Sequence, residues 1–409
     1  MPGKIVIIGA GFAGVWSALA AKRLFDIHNR ADAIDILVIS PEPHLAMRPR
    51  FYESDVANMK APLTTLFKST GIRFLQGTAE TIDTDAHVVR VKSQTNASEV
   101  VPFDRLILAA GSAVVRPNGV SGLQQHAFDI DTLEAAAQLE EHIENLSSRP
   151  ASTARDTVVV CGAGFTGIEI ATELPRRLQH LPNARVVLVE SADELGPELG
   201  PGPRPVIAEA LNALGVVVKL GSAVSSVDAW GVTLQSGDRI ETLTPVWTAG
   251  MRATPLTQHI PGAKDSLSRV HVDSYLRSPA CDRIFVTGDA ARAATDDKGH
   301  DALMSCQHAM QLGRISGHNA AADILGEPLI KYSQQGYNCC LDLGSHGAVV
   351  TRGWEREVLI TGEIAKKGKN YINQRLIYPP SDAREAIQAA GPAPHDTEEV
   401  FAQILATIG

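Results

Sequence analysis

The stretch TVVVCGAGFTGIEIATEL at residues 157–174 runs from an apolar segment, through a burst of glycines, into a helix-like sequence. The chain carries the same pattern earlier, as KIVIIGAGFAGVWSALAA at residues 4–21. The glycines are Gly9, Gly11 and Gly14 in the first copy and Gly162, Gly164 and Gly167 in the second. In both they stand between a strand and a helix, the setting in which a G-x-G-x-x-G pattern binds a dinucleotide. The first glycine makes the tight turn, the second lets backbone approach a pyrophosphate, and the third lets the helix pack on the strand. The anion then lies at the positive end of a helix. One such motif is weak evidence; two in the correct setting specify two cradles.

Around each copy, strand-like and helix-like runs alternate: Ile5–Ile8, Val15–Phe25 and Ile34–Ile39, then Val158–Val160, Ile168–Leu178 and Val186–Val189. That alternation reads as parallel sheets with crossover helices. Between the copies, residues 132–146 carry Leu133, Leu139, Ile143 and Leu146 on one side of an amphipathic helix. The polar stretch SSRPASTARD (147–156) reads as a surface linker. Beyond about residue 326 the pattern changes to alternating strands with glycine-rich turns. The expected fold class is α/β, with two Rossmann-like dinucleotide-binding domains and a smaller α+β C-terminal domain. The boundaries expected are 1–115 and 257–325 for the first dinucleotide domain, 116–256 for the inserted second, and 326–409 for the third.

The strand after the second motif ends in Glu190, about twenty residues beyond the last glycine, where a carboxylate accepts from both hydroxyls of an adenine ribose. No Lys or Arg follows before Arg204 to receive a 2′-phosphate, so the reading is NAD(H) rather than NADP(H). In the first copy the matching place is Ser40, a poorer ribose partner, with Glu42 close behind it.

Bulk properties narrow the classes. Hydrophobic content of 44% with 20% charged residues is ordinary for a globular chain. A net charge of −9 and a pI near 5.8 argue against nucleic acid as partner. No apolar run reaches membrane-spanning length and no signal peptide precedes the first strand. Five cysteines without metal-ligand spacing fit a reducing compartment, so a cytoplasmic protein without a metal site is expected.

Three further stretches make a family resemblance specific. LILAAGS (106–112), WTAGMRATPL (247–256) and RIFVTGDAA (283–291) follow the two motifs in the order found in type II NADH dehydrogenases. The chain resembles that family from residue 4 to about residue 325. MRPRFYE (47–53) is also similar to the apoptosis-inducing-factor-like quinone reductases. The resemblance implies FAD in the first cradle and NAD(H) in the second. It places Arg48, Ala79, Gly111, Gly250, Gly288 and Asp289 among the cofactor contacts, with Asp289 accepting from ribityl hydroxyls and a helix beginning directly after it. The residues 303–325 resemble the family helix whose start points at the flavin, with Gln307 and Gln311 four apart on one face. Gln307 is expected to touch the flavin, and both glutamines to serve the acceptor. In membrane quinone reductases this helix reads approximately A-Q-A-A-x-Q-Q-G. Here Cys306, His308 and Leu312 replace an alanine, an alanine and a glutamine. That predicts a remodelled acceptor site; His308 reads either as a proton donor or as a structural histidine.

Of the two quoted stretches only the second carries glutamates, Glu169 and Glu173; the first has Trp16 and Ala20 at the equivalent places. Glu169 is expected beside the nicotinamide, accepting from its carboxamide or managing a proton, and Glu173 to favour the helix N-terminus by its charge. No cysteine pair has the spacing of a redox dithiol, and all five read as structural. After Pro380, Arg384 is the only Lys or Arg against Asp382, Glu385, Asp396, Glu398 and Glu399, although Phe401, Ile404, Leu405 and Ile408 form an apolar stripe. An acidic polar face argues against membrane association and for packing on the chain's own domain or in a homodimer.

The expected function is an FAD-dependent enzyme that takes hydride from NADH and passes electrons to a quinone-like or other small organic acceptor. Two alternatives stay open: a flavin-dependent dehydrogenase or oxidase of a specialised metabolite, and a non-catalytic redox-sensing or interaction protein.

Overall fold

The computed structural model describes residues 3–30, 33–393 and 397–408, apart from the side chains of Thr397, Leu405 and Ile408. Asp396 and the last two members of the apolar stripe therefore lie outside what is described. The first glycine motif follows the strand Gly3–Ile8, which sits inside an eight-stranded sheet. Five of its strands run parallel, in the order Cys281–Val286, Arg105–Leu108, Gly3–Ile8, Ile34–Ser40 and Arg73–Asp83. Their residues are almost wholly apolar at the centre because helices or further chain cover both faces, as a parallel sheet requires. Antiparallel strands Val88–Ser93 and Ser98–Pro102 extend one edge, and Arg277–Ser278 closes the other.

The second motif repeats the arrangement on a smaller scale. Strand Thr157–Cys161 lies between Arg185–Val189 and Thr244–Trp247, all parallel, with Val217–Lys219 outermost. The chain passes between the two sheets at Ser112–Val114 and Met251–Ala253, which pair as an antiparallel ribbon. The C-terminal sheet is antiparallel, made by Asn338–Asp342, Ala348–Arg352 and Glu357–Thr361, and leads into the helix Gly362–Tyr371.

Two long helices set the geometry beneath the first cradle. The helix Phe12–Ile27 crosses Cys306–Leu325 at backbone contact, through glycines on the second helix. A Cβ on Gly313 would stand 2.4 Å from the Ala13 carbonyl oxygen, and one on Gly317 2.0 Å from that of Ser17. The Ser17 hydroxyl closes the crossing by donating to the Ala13 oxygen at 2.7 Å and lying 3.1 Å from that of Gly313.

Three local expectations are corrected. The stretch 147–156 is more than a surface linker: it contains the short helix Thr153–Asp156, where Arg155 and Asp156 are buried as an ion pair at 2.7 Å. No α-helix begins at Asp289; one 3₁₀ turn, Gly288–Ala290, leads into a two-residue strand. The helix expected from residue 303 begins at Cys306, because Ser305 takes the cap position and accepts from the His308 amide.

The helix crossing is testable. Gly317→Ala is expected to destabilise the fold by about 1–3 kcal/mol, as overpacking at a rigid backbone contact does. Gly119→Ala, where nothing lies within 4 Å, should leave the thermal midpoint unchanged. Equal midpoints for the two variants, measured by circular dichroism, would contradict the crossing geometry.

Candidate active site

Both glycine turns open on one cavity of about 2160 Å³. In the first turn Gly9 has φ +110°, and a Cβ there would strike the Ala109 carbonyl oxygen at 2.3 Å. A Cβ on Gly14 would lie 1.9 Å from the Gly9 oxygen, whereas Gly11 faces open space. The second turn copies this: Gly162 has φ +109°, a Cβ on Gly167 would meet the Gly162 oxygen at 1.8 Å, and Gly164 is open. Gly11 and Gly164 are the cap residues of their helices, and neither helix has a side-chain cap. The first amide N–H groups are thus left for a ligand, as pyrophosphate binding requires.

The remaining cofactor candidates lie on the same wall. Ser40, Glu42, Arg48, Ala79, Gly111, Gly250, Gly288 and Asp289 all line the cavity. Asp289 accepts from the Ser112 hydroxyl at 2.6 Å, and Arg48 donates to the same hydroxyl at 3.1 Å while ion-pairing with Asp131. Glu190 holds its own turn together: one carboxylate oxygen accepts from the Ala163 amide at 2.6 Å, the other from the Ala192 amide at 2.9 Å.

Glu169 is not free to serve a ligand alone. It is 3% exposed, 2.8 Å from the ammonium of Lys369, and it accepts from the Asp342 amide at 3.1 Å. Asp342 in turn accepts from the Tyr52 hydroxyl at 3.0 Å and from Lys366 at 2.6 Å, and Asn373 donates to Tyr52 at 3.1 Å. Glu169, Lys369, Tyr52 and Asn373 all reach the cavity wall. Burial pushes the Glu169 carboxyl up to about 7, against the downward pull of Lys369. Burial acts to lower Lys369, but the facing carboxylate outweighs it and holds the ammonium charged. Glu173 differs: Arg176 binds it at 2.7 Å, a local helix pair.

Gln307 and Gln311 both line the cavity, and Gln311 donates to the Pro392 carbonyl at 3.0 Å. Two of the three remodelled positions do not. Leu312 is 1% exposed and packs with Leu276, Ala293 and Tyr332, away from the cavity. His308 is fully buried, stacks on Tyr337 at 4.7 Å, and is held down to about 3, chiefly by burial, so it is structural and no proton donor. Only Cys306 alters the cavity wall. Burial raises the thiols of Cys161, Cys306 and Cys340 to about 12, 11 and 12 respectively, and all five cysteines are free. None of these three is a thiolate poised for exchange.

A family model described as pyridine nucleotide-disulphide oxidoreductase matches residues 3–313. The chain belongs to that family. An NADH dehydrogenase-like protein of Mycobacterium tuberculosis (strain ATCC 25618 / H37Rv) is 42% identical over 398 residues, covering 96% of this chain and 98% of that protein. Demethylphylloquinone reductase NdbB of Synechocystis sp. is 27% identical over 361 residues, with 85% and 86% covered. The fold matches that of NDH2 from Plasmodium falciparum in complex with NADH, with a TM-score of 0.76 at 15% identity over 95% of this chain and 97% of that one. The chain is an enzyme, an oxidoreductase using FAD and NAD(H). Its two open glycine turns and uncapped helix starts fit two dinucleotide pyrophosphates.

Sequence reading missed Lys369, Tyr52 and Asp342. Lys369 sits among three lysines in EIAKKGKNY, and nothing local marks it as the buried one. The protonation of Glu169 can be followed directly. An infrared carboxylic-acid band should titrate near pH 7 and vanish in Glu169→Gln, while Lys369→Met should move its midpoint upward by removing the charge that favours ionisation. No such band between pH 6 and 8 would contradict the site electrostatics.

Proposed function

We infer that the chain oxidises NADH and passes the electrons, through FAD, to a quinone-like small molecule. In this reading residues 1–115 and 257–325 hold FAD, 116–256 hold NADH, and 326–409 wall the acceptor side. Gly9, Gly11, Gly14, Ser40, Glu42, Arg48, Ala79, Gly111, Gly288, Asp289 and Gln307 contact FAD. Gly162, Gly164, Gly167, Glu190 and Gly250 contact NADH. Bound FAD supplies two-electron exchange between a nicotinamide and an acceptor.

The observation that carries the reading is the buried Glu169–Lys369 pair on the wall of the cavity both cradles share. Reducing a quinone to a quinol takes two electrons and two protons, and a hydride from NADH supplies only one of those protons. Glu169, raised to about 7, can gain and lose a proton near neutral pH at the cavity wall. Lys369 keeps the resulting carboxylate from being stranded without a counter-charge. Gln307 and Gln311 lie along one helix face: Gln307 can donate to an acceptor carbonyl, while Gln311, whose nitrogen is bound to the Pro392 carbonyl, offers its side-chain oxygen. The names of the relatives that reduce quinones support this choice of acceptor.

A bilayer-surface approach to the acceptor has one observation in its favour. Ile364 and Leu376 are exposed, near Lys367 and Arg375. The acidic segment after Pro380 opposes it, and among the described residues no helix is long and apolar enough to cross a membrane. We therefore favour an acceptor reached from water. Short-chain quinones should be reduced faster than long-tailed ones, and liposomes should not co-sediment the protein. Liposome binding with fast long-tail reduction would favour the membrane reading.

Two further outcomes are expected. Flavin reduction should favour NADH over NADPH by about tenfold or more, roughly 1.4 kcal/mol, because Glu190 meets a 2′-phosphate with like charge. Acceptor turnover should fall as pH rises through about 7, when Glu169 loses its proton, and Glu169→Gln should turn over slowly without that limb. Equal use of both nucleotides, or an unchanged pH profile in Glu169→Gln, would contradict these roles.

A further inference from the structure

The cavity wall carries a cation, Arg314, that no carboxylate among the described residues pairs with. Arg314 lies one turn beyond Gln311 on the helix Cys306–Leu325, and with Gln307 and Gln311 it occupies one face of that helix. It is 6% exposed, yet it lines the cavity. Among the described residues no carboxylate pairs with it, and its Nε has no hydrogen-bond partner. Its guanidinium rests 4.3 Å from the centre of the Trp16 ring.

This is an unusual place for an unpaired charge. The buried Arg155 is matched by Asp156 and the half-buried Arg48 by Asp131, whereas Arg356, buried like Arg314, also has no carboxylate partner among the described residues and leaves one Nη without a hydrogen bond. A ring face recovers only a fraction of the hydration that a guanidinium loses on burial. Burial alone accordingly lowers Arg314, to about 10, with no opposing charge acting on it. It remains a cation at neutral pH. The neighbouring Gln311 adds a second unsatisfied group, since its side-chain oxygen is buried without a partner while its nitrogen is committed to Pro392. A second arginine on the wall, Arg356, is placed differently: it packs over Tyr337 and its backbone closes against Gly202.

We propose that Arg314 is the anion-binding group of the acceptor subsite, and that the acceptor is a quinone-like molecule bearing a carboxylate or another acidic group. This rests on the acceptor reading above. The acid group pairs with the guanidinium against Trp16, and a hydroxyl or protonated oxygen on the acceptor donates to Gln311. Arg314 thereby sets specificity without touching the electrons transferred. An acidic acceptor is also water-soluble, in keeping with the acidic segment after Pro380, where Arg384 is the single Lys or Arg.

The test uses the FAD-loaded full chain and a matched pair of acceptors, a 1,4-naphthoquinone with a carboxyethyl side chain and its primary amide. The two share a ring and a closely similar reduction potential, so their kcat/KM ratio isolates the charge. The carboxylate should be preferred by about tenfold or more. Arg314→Gln should bring the ratio close to one, and Arg314→Lys should keep part of it. A ratio is unaffected by loss of folded protein. A wild-type ratio near one, or a ratio unchanged in Arg314→Gln, overturns the proposal. Calorimetric binding of 2-naphthoate against 2-naphthamide to the oxidised protein gives a readout without turnover. If neither quinone is reduced, the quinone reading fails. Tighter binding of the naphthoate, lost in Arg314→Gln, still supports an anion site, and equal binding refutes it.

Discussion

Two helices in this protein must come closer to their own preceding turns than any side chain allows. At Gly14 and Gly167 the helix backbone stands where a Cβ would be within 2 Å of a carbonyl oxygen. The close approach aims the first N–H groups of each helix into open space rather than into neighbouring atoms. The two cap residues have nearly the same conformation, φ −75° and ψ −173° at Gly11 and φ −73° and ψ −171° at Gly164. Everything else at the site follows from having two such helix starts open on one cavity.

The copies diverge two residues beyond the third glycine, and each divergent residue meets a cation. In the second copy Glu169 faces Lys369; in the first, Trp16 lies under Arg314. A buried ion pair is a poor source of stability, because desolvation takes back most of the attraction. At the cavity wall it does something else. Burial raises the Glu169 carboxyl to about 7 beside a charged Lys369, and the pair ties the second motif's helix to the strand Asn338–Asp342, because the Asp342 amide also binds Glu169. The C-terminal helix completes the wall, with Ile404 buried and Phe401 lining the cavity, so the described part of its apolar stripe packs on the chain's own domain.

The cradles were legible because their chemistry is local. Glycines between a strand and a helix, and a carboxylate at the next strand's end, are adjacent in sequence and needed no long-range contact to interpret. The acceptor side was less legible for two reasons. Along the helix from Cys306, substitutions read in sequence as a single remodelled site are distributed around all faces. Residues 307, 311 and 314 share the cavity face, while His308 and Leu312 turn into the core. The partners of Glu169 come from residues 52, 342 and 369, which only the tertiary fold brings together. Arg314 carried no signal at all, since a helical arginine is ordinarily a solvated one.

The central claim is that the two cradles act together on one hydride. The direct measurement is an anaerobic titration of the FAD-loaded protein with NADH deuterated at the transferred position, followed by stopped-flow absorbance of the flavin. One equivalent of NADH should bleach one equivalent of bound flavin, more slowly with the deuterated nucleotide. Binding of NADH without bleaching would contradict the account and leave a protein that holds two dinucleotides without passing electrons between them.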